Sequence, residues 1–263
     1  MSTVEKISGS IKPPVLVLGA ADGLGVGLAE AVLEAGYPVL AVDESREQLE
    51  AFRKRFTGRG KVATLQGSVK SDTEAAALVQ SVRALPGMPV VAIVNLHVTC
   101  ERGLLLEHDA GFLGRTLQEE VIPHMHAARH LLPLLAESGR CARYLVIGGP
   151  NADTSWLGYG HHSVAAAATR MLVQALRHES EDTTVRVQQL VVGKPVRTED
   201  NARCACPEWP DAVSVGRYAV KVLASSDTTG AVVRFDPAFD KATVDIGHSR
   251  TTTGKAPSRL RPA

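Results

Sequence analysis

The chain has little of what marks a protein for a special environment. Its four cysteines, at 100, 141, 204 and 206, are spread through 263 residues. That is too sparse for a disulfide framework, so a reducing cytoplasm is the expected setting. Neither sign of charge dominates: 29 basic and 28 acidic side chains leave a formal charge of +1. This balance argues against nucleic acid or an anionic membrane surface as the main partner. No apolar run approaches the roughly 20 residues that span a bilayer, so no membrane partner is expected. The first residues, MSTVEKISGSIKPP, lack the apolar core of a signal peptide. The strict dinucleotide fingerprint G-x-G-x-x-G is also missing.

What is present is an α/β pattern. Hydrophobic residues make up 44% and charged residues 22% of the chain, ordinary values for a globular protein with room for one large core. Strand-like runs at 15–18, 38–42, 61–65, 90–94, 143–147, 185–191 and 231–235 alternate with helical patterns at 24–35, 45–56, 72–84, 109–136, 163–179 and 211–224. That alternation predicts a single domain over 1–236, a doubly wound parallel sheet of about seven strands with helices on both faces. Residues 199–210 read as an irregular insertion, and 237–263, which have no apolar period, as a flexible tail.

Between the first strand and the first helix lies Gly-Ala-Ala-Asp-Gly-Leu-Gly, with Gly19, Gly23 and Gly25 spaced G-x-x-x-G-x-G. Glycines let the backbone turn sharply and approach a ligand, and a helix N-terminus offers unpaired N–H groups to a phosphate. Asp43, at the end of the second strand, is placed to accept hydrogen bonds from an adenosine ribose and to repel a 2′-phosphate. Asp22 inside the loop adds to that repulsion. The expected ligand is therefore a small-molecule nucleotide, NAD(H), with NADP(H) disfavoured. The alternative is a plain tight turn with a helix-capping acid.

These motifs resemble the short-chain dehydrogenase/reductase family over about residues 13–236. Leu18-Gly-Ala-Ala-Asp-Gly-Leu-Gly25 is similar to the family's T-G-x-x-x-G-x-G, and Ile93-Val94-Asn95-Leu96-His97-Val98 to its L-V-N-N-A-G. Thr229-Gly230 and the apolar run to Asp236 are similar to its final strand. The resemblance implies a dinucleotide across the sheet's C-terminal edge, held by Gly19, Asp22, Gly23, Leu24, Gly25, Asp43, Ser68 and Asn95. It also implies a homodimer or homotetramer built through two long helices. In the family an Asn, Ser, Tyr and Lys perform hydride chemistry. Here those four places hold Glu120, Gly149, His162 and Ala166. Ser68 stands where an Asp is usual and Val98 where a small residue is usual. The strand-six motif becomes Val192-Gly193-Lys194-Pro195, while Thr198 keeps the usual Thr.

Two functional readings follow. In the first, the chain is a non-catalytic or atypical member, a sensor, scaffold or partner that retains NAD(H). In the second, His162 with Glu120 or His97 forms an acid/base site for oxidoreductase or lyase/isomerase chemistry on a small-molecule substrate. Two histidines and a carboxylate also match a metal-ligand set. The bland alternative is that polar side chains accumulated in a wet pocket. Tyr159 has Ser163 rather than Lys four residues on, so it is read as packing at the pocket mouth. His124, His126 and His130 on one helix read as exposed or interface histidines. Cys204 and Cys206 read as part of a lid, and the small residues Ala165–Ala168 as a helix-pairing surface.

Overall fold

The computed structural model describes residues 12–96, 101–225 and 230–238. Seven strands form one parallel sheet: β1 Val15–Leu18, β2 Val39–Asp43, β3 Val62–Gln66, β4 Val91–Val94, β5 Ala142–Gly148, β6 Val185–Val191 and β7 Val232–Arg234. Their order across the sheet is β3-β2-β1-β4-β5-β6-β7. The helices between them are α1 Gly23–Glu34, α2 Arg46–Arg55, α3 Asp72–Arg83, α4 Ala110–Glu120, α5 Ile122–Ala136, α6 Gly160–Glu179 and α7 Ala212–Ala224.

The two strands at the middle of the sheet's reversal, β1 and β4, are apolar on both faces. Every residue of β1 and β4 is buried, as expected of strands covered by helices above and below. Side chains alternate, so Val15 and Val17 join the layer with α1, α2 and α7, while Leu16 and Leu18 join the layer with α3, α5 and α6. Register is direct, with Val15 beside Val39 on one side and Val91 on the other. The chain reverses direction across the sheet between β1 and β4. That switch point opens a crevice at the strands' C-terminal ends, where ligands bind in such sheets.

Short polar side chains start most of the helices. Asp22, Ser45, Asp109 and Asp211 cap α1, α2, α4 and α7, and Ser71 with Glu74 forms a reciprocal capping box on α3. The pattern read as one helix over 109–136 is two, α4 and α5, divided at Val121. Pro123 sits in the first turn of α5, where its missing N–H costs nothing, so the apolar pattern runs through the break unchanged. Likewise α6 begins at Gly160, earlier than the periodicity indicates.

One contact has no signal in the sequence. A Cβ on Gly27 would lie 2.4 Å from the Ala212 carbonyl carbon, and one on Gly216 would lie 2.5 Å from the Gly27 oxygen. The backbones of α1 and α7 therefore touch, which seats the N-terminus of α1 firmly over the sheet edge. Of the run Ala165–Ala168, Ala165 is buried within the chain's own fold, Ala166 and Ala168 are half-buried and Ala167 is exposed. The expected tail lies, beyond Ala238, outside the described residues.

Candidate functional site

The glycine loop is built by close approach. Gly19 has φ of +70°, and a Cβ there would stand 1.8 Å from the Asn95 carbonyl oxygen. A Cβ on Gly25 would stand 1.9 Å from the Gly19 oxygen. These two positions admit only glycine. Asn95, just past β4 and 6% exposed, stitches the loop to the sheet. Its side-chain amide donates to the Gly19 oxygen at 3.0 Å and to Asp22 Oδ1 at 3.2 Å.

Asp22 is thus a cap as well as a loop acid: its carboxylate also accepts from the Gly25 N–H at 3.4 Å. The first main-chain bond of α1 is from Val26 N to Asp22 O, which leaves the Gly23 and Leu24 N–H groups ahead of the helical ladder. Asp43 accepts from the Ala21 and Ser45 N–H groups, both at 3.2 Å, and so fixes the far side of the loop. Ser68 Oγ sits 3.0 Å from Glu44 Oε1 and 2.9 Å from Glu74 Oε2, with Lys70 paired to Glu44. A hydroxyl has one proton, so it donates to one of these carboxylates at a time.

Two cavities flank the loop. One, of about 500 Å³, lies over the ends of β4, β5 and β6 and is lined by Leu24, Asn95, Gly149, Pro150, Lys194 and Thr198 among others. The other, of about 690 Å³, lies between α1, α2 and the segment from Arg197 to Val213. Both include Asp22, Gly23, Thr198 and Asp200. Thr198 packs so near Gly23 that a Cβ there would fall 2.8 Å from its methyl. Asp43 and Ser68 line neither cavity.

Glu120 and His162 meet. Glu120 ends α4, His162 lies in the first turn of α6, and the carboxylate bonds the ring at Nδ1. That bond favours the tautomer with the proton on Nδ1 and leaves Nε2 as an acceptor. His162 is 5% exposed and its Nε2 has no hydrogen-bond partner among the described residues. His161 packs beside it with ring centroids 4.1 Å apart and bonds through Nε2 to the Glu101 oxygen at 3.0 Å. Burial, and then the neighbouring His162, hold the His161 pKa below the ordinary imidazole value. Phe112 in the first turn of α4, and His108 just before that helix, extend this stack.

The other candidates separate from this pair. His97 and Val98 lie outside the described residues. Tyr159 immediately precedes α6, with its ring 6.2 Å from that of His162. His124 is buried, against the expectation of exposure, because its position on α5 faces the sheet rather than solvent. His126 bonds the Val69 oxygen and His130 bonds Asp72, so their shared spacing serves α3 and the loop before it. Among the described residues, no group of three or more His, Cys, Asp or Glu is arranged to hold a metal ion. Cys204 and Cys206 are exposed free thiols. A Cβ on Gly148 would stand 2.6 Å from the Gln189 amide nitrogen, the movable end of that side chain, whereas Gly149 has open space around it.

A doubly wound sheet whose crevice is edged by a glycine loop and a helix N-terminus defines a dinucleotide-type α/β protein. The family model for short chain dehydrogenase matches residues 14–204, and the chain belongs to that family. It is 24% identical over 240 residues to the ketoacyl reductase HetN of Nostoc sp., covering 87% of this chain and 81% of that one. It is 26% identical over 183 residues to the 3-ketodihydrosphingosine reductase TSC10 of Yarrowia lipolytica, covering 66% of this chain and 49% of that one. Among solved structures it is similar to a short chain oxidoreductase from Pseudomonas aeruginosa PAO1 containing an atypical catalytic center. The TM-score is 0.74 at 20% identity, with 87% of this chain and 97% of that one covered. The NADP complex of RhlG from Pseudomonas aeruginosa gives a TM-score of 0.75 at 20% identity, covering 91% of this chain and 99% of that one.

Proposed function

We propose that this chain is an atypical short chain dehydrogenase that binds a nicotinamide dinucleotide, NAD(H) in preference to NADP(H), and acts as a sensor, scaffold or partner without the family's hydride chemistry. The observation that carries this reading is the wall of the 500 Å³ cavity. The stretch Ile147–Pro150 brings no side-chain hydroxyl to it, and α6 contributes no lining residue. The positions the resemblance marks on α6 hold an imidazole buried against Glu120 and an alanine.

The residues fit the dinucleotide. Gly19 and Gly25 make the tight loop, Gly23 leaves room beside Thr198, and Leu24 opens α1 toward a phosphate. Asn95 and Asp22 hold that loop in shape, while Asp43 and Ser68 mark the adenosine end. A bound dinucleotide would supply hydride chemistry; these residues bind and orient it. The preference for NAD(H) rests on the Asp43 carboxylate, since a 2′-phosphate there would meet like charge. Exposed Met125, Val164 and Met171 on α5 and α6 support assembly with further copies of the chain. The protein is proposed to work in the cytoplasm.

Calorimetry tests the reading. NADH is expected to bind at least about tenfold more tightly than NADPH, a difference of roughly 1.4 kcal/mol. Equal or tighter NADPH binding overturns the preference. Failure to bind NAD, NADH, NADPH or adenine nucleotides removes the sensor.

The Glu120–His162 contact favours a second reading, in which this pair supplies acid/base catalysis to an oxidoreductase or lyase/isomerase reaction. Two relatives are named as reductases of ketoacyl and ketodihydrosphingosine substrates. Exposed Leu105, Leu106, Trp156 and Leu157, on the loops beyond β4 and β5, suit a substrate with a long apolar chain. Ketones of that kind are the first substrates to assay. This reading expects turnover of such ketones to fall about a hundredfold or more in His162→Ala, and turnover unchanged by that substitution sinks it.

A further inference from the structure

We infer that Lys194 is the cationic anchor for the dinucleotide's pyrophosphate, an inference that rests on the nucleotide-binding reading above. Lys194 follows β6, between Gly193 and Pro195, on the stretch that crosses the C-terminal edge of the sheet. It lines the 500 Å³ cavity together with Gly23 and Leu24 at the start of α1. Among the described residues lining that cavity Lys194 is the one cation, against Asp22 and Asp200. It forms no ion pair among the described residues, although most bases near the glycine loop are committed. Arg55 binds Glu199 and Glu30, Arg59 binds Glu30, and Lys70 binds Glu44. Pairing a lysine consumes the charge that an anionic ligand would use, and this one is unspent.

A cavity bounded by a helix N-terminus and an uncommitted ammonium suits a phosphate group. The Asp22 carboxylate is drawn to Asn95 and Gly25, which softens its opposition to an anion at the same place. Pro195 stiffens the stretch immediately after Lys194, so the side chain departs from a restrained backbone.

The experiment is calorimetric titration of NADH and of adenosine, which lacks phosphates, into the wild type, Lys194→Ala and Lys194→Arg. Lys194 is exposed, so the variants are expected to melt with the wild type. The expected result is NADH binding weakened about tenfold or more in Lys194→Ala, substantially kept in Lys194→Arg, with adenosine unaffected. The NADH deficit should shrink as salt is raised. Equal NADH affinity in wild type and Lys194→Ala overturns the anchor and leaves the nucleotide reading standing. An equal loss for NADH and adenosine overturns it as well, since it marks a change in the cleft's shape. Wild type that binds no NADH brings down both.

Discussion

Gly19→Ala is expected to abolish dinucleotide binding and to lower the stability of the whole chain by about 3 kcal/mol, through a strained left-handed residue and broken loop hydrogen bonds. The new methyl would stand 1.8 Å from the Asn95 carbonyl oxygen, inside any allowed contact, and φ at this residue is +70°. Nothing flexible lies in the way, because the obstacle is backbone held by the Asn95 N–H bond to the Leu18 oxygen at 3.0 Å. The loop must therefore lift off β4, losing the Asn95 amide's bonds to the Gly19 oxygen and Asp22. Gly149→Ala is the matched control. Gly149 has φ of −92°, and no atom lies within 4 Å of the place its methyl would take. That substitution should change stability by no more than about 0.5 kcal/mol. Urea denaturation and NADH titration of the two variants make the comparison. A Gly19→Ala chain with wild-type midpoint and affinity would show that the loop does not depend on this contact.

That contrast between two glycines illustrates what is legible in the sequence. The spacing of Gly19, Gly23 and Gly25 after an apolar strand locates the loop, because a turn of this kind leaves its requirement in residue type. The positions of β1 and β4 are legible for a similar reason: buried on both faces, they read VLVL and VAIV with nothing polar between. Helix ends are less so. The division of α4 from α5 at Val121 is invisible to apolar periodicity, since Pro123 is tolerated in a first helical turn.

The site is legible only in part. Glu120 and His162 come together in the sequence reading because the family frame assigns both to one cleft, although 42 residues separate them along the chain. Spacing alone carries no such information. Which ring nitrogen meets the carboxylate, and that the ring is buried rather than presented to the cavity, depend on how α4 crosses α6. Asp22 reads as a charge facing a ligand, and it is also the tie between loop and Asn95. Lys194 is visible in the sequence only as a departure from a motif. Its place on a cavity wall depends on three strand ends and a helix start coming together, which no local pattern encodes.

His124 escapes local pattern for the same reason, and its burial has a measurable consequence in acid. It lies on α5 with 6% of its surface exposed, and its Nδ1 has no hydrogen-bond partner among the described residues. Burial pushes its pKa down from 6.5 to about 4. The folded chain thus holds a neutral imidazole where the unfolded chain takes up a proton. Stability rises with pH wherever the unfolded state binds more protons. The contribution is therefore fully present above about pH 6.5 and is lost progressively as pH falls toward 4, amounting to about 3 kcal/mol. Asp153, whose carboxyl Arg234 and Arg170 hold well below the usual range, also favours the fold above the ordinary carboxylate pKa, so its share is lost at still lower pH. His124→Leu removes the titration and the unpaired nitrogen while keeping an apolar side chain against the sheet. Between pH 7 and pH 4 its melting temperature should fall about 8 °C less than that of the wild type, at the roughly 2–4 °C per kcal/mol typical of domains of this size. Parallel acid limbs in the two chains would mean that the imidazolium reaches water once charged.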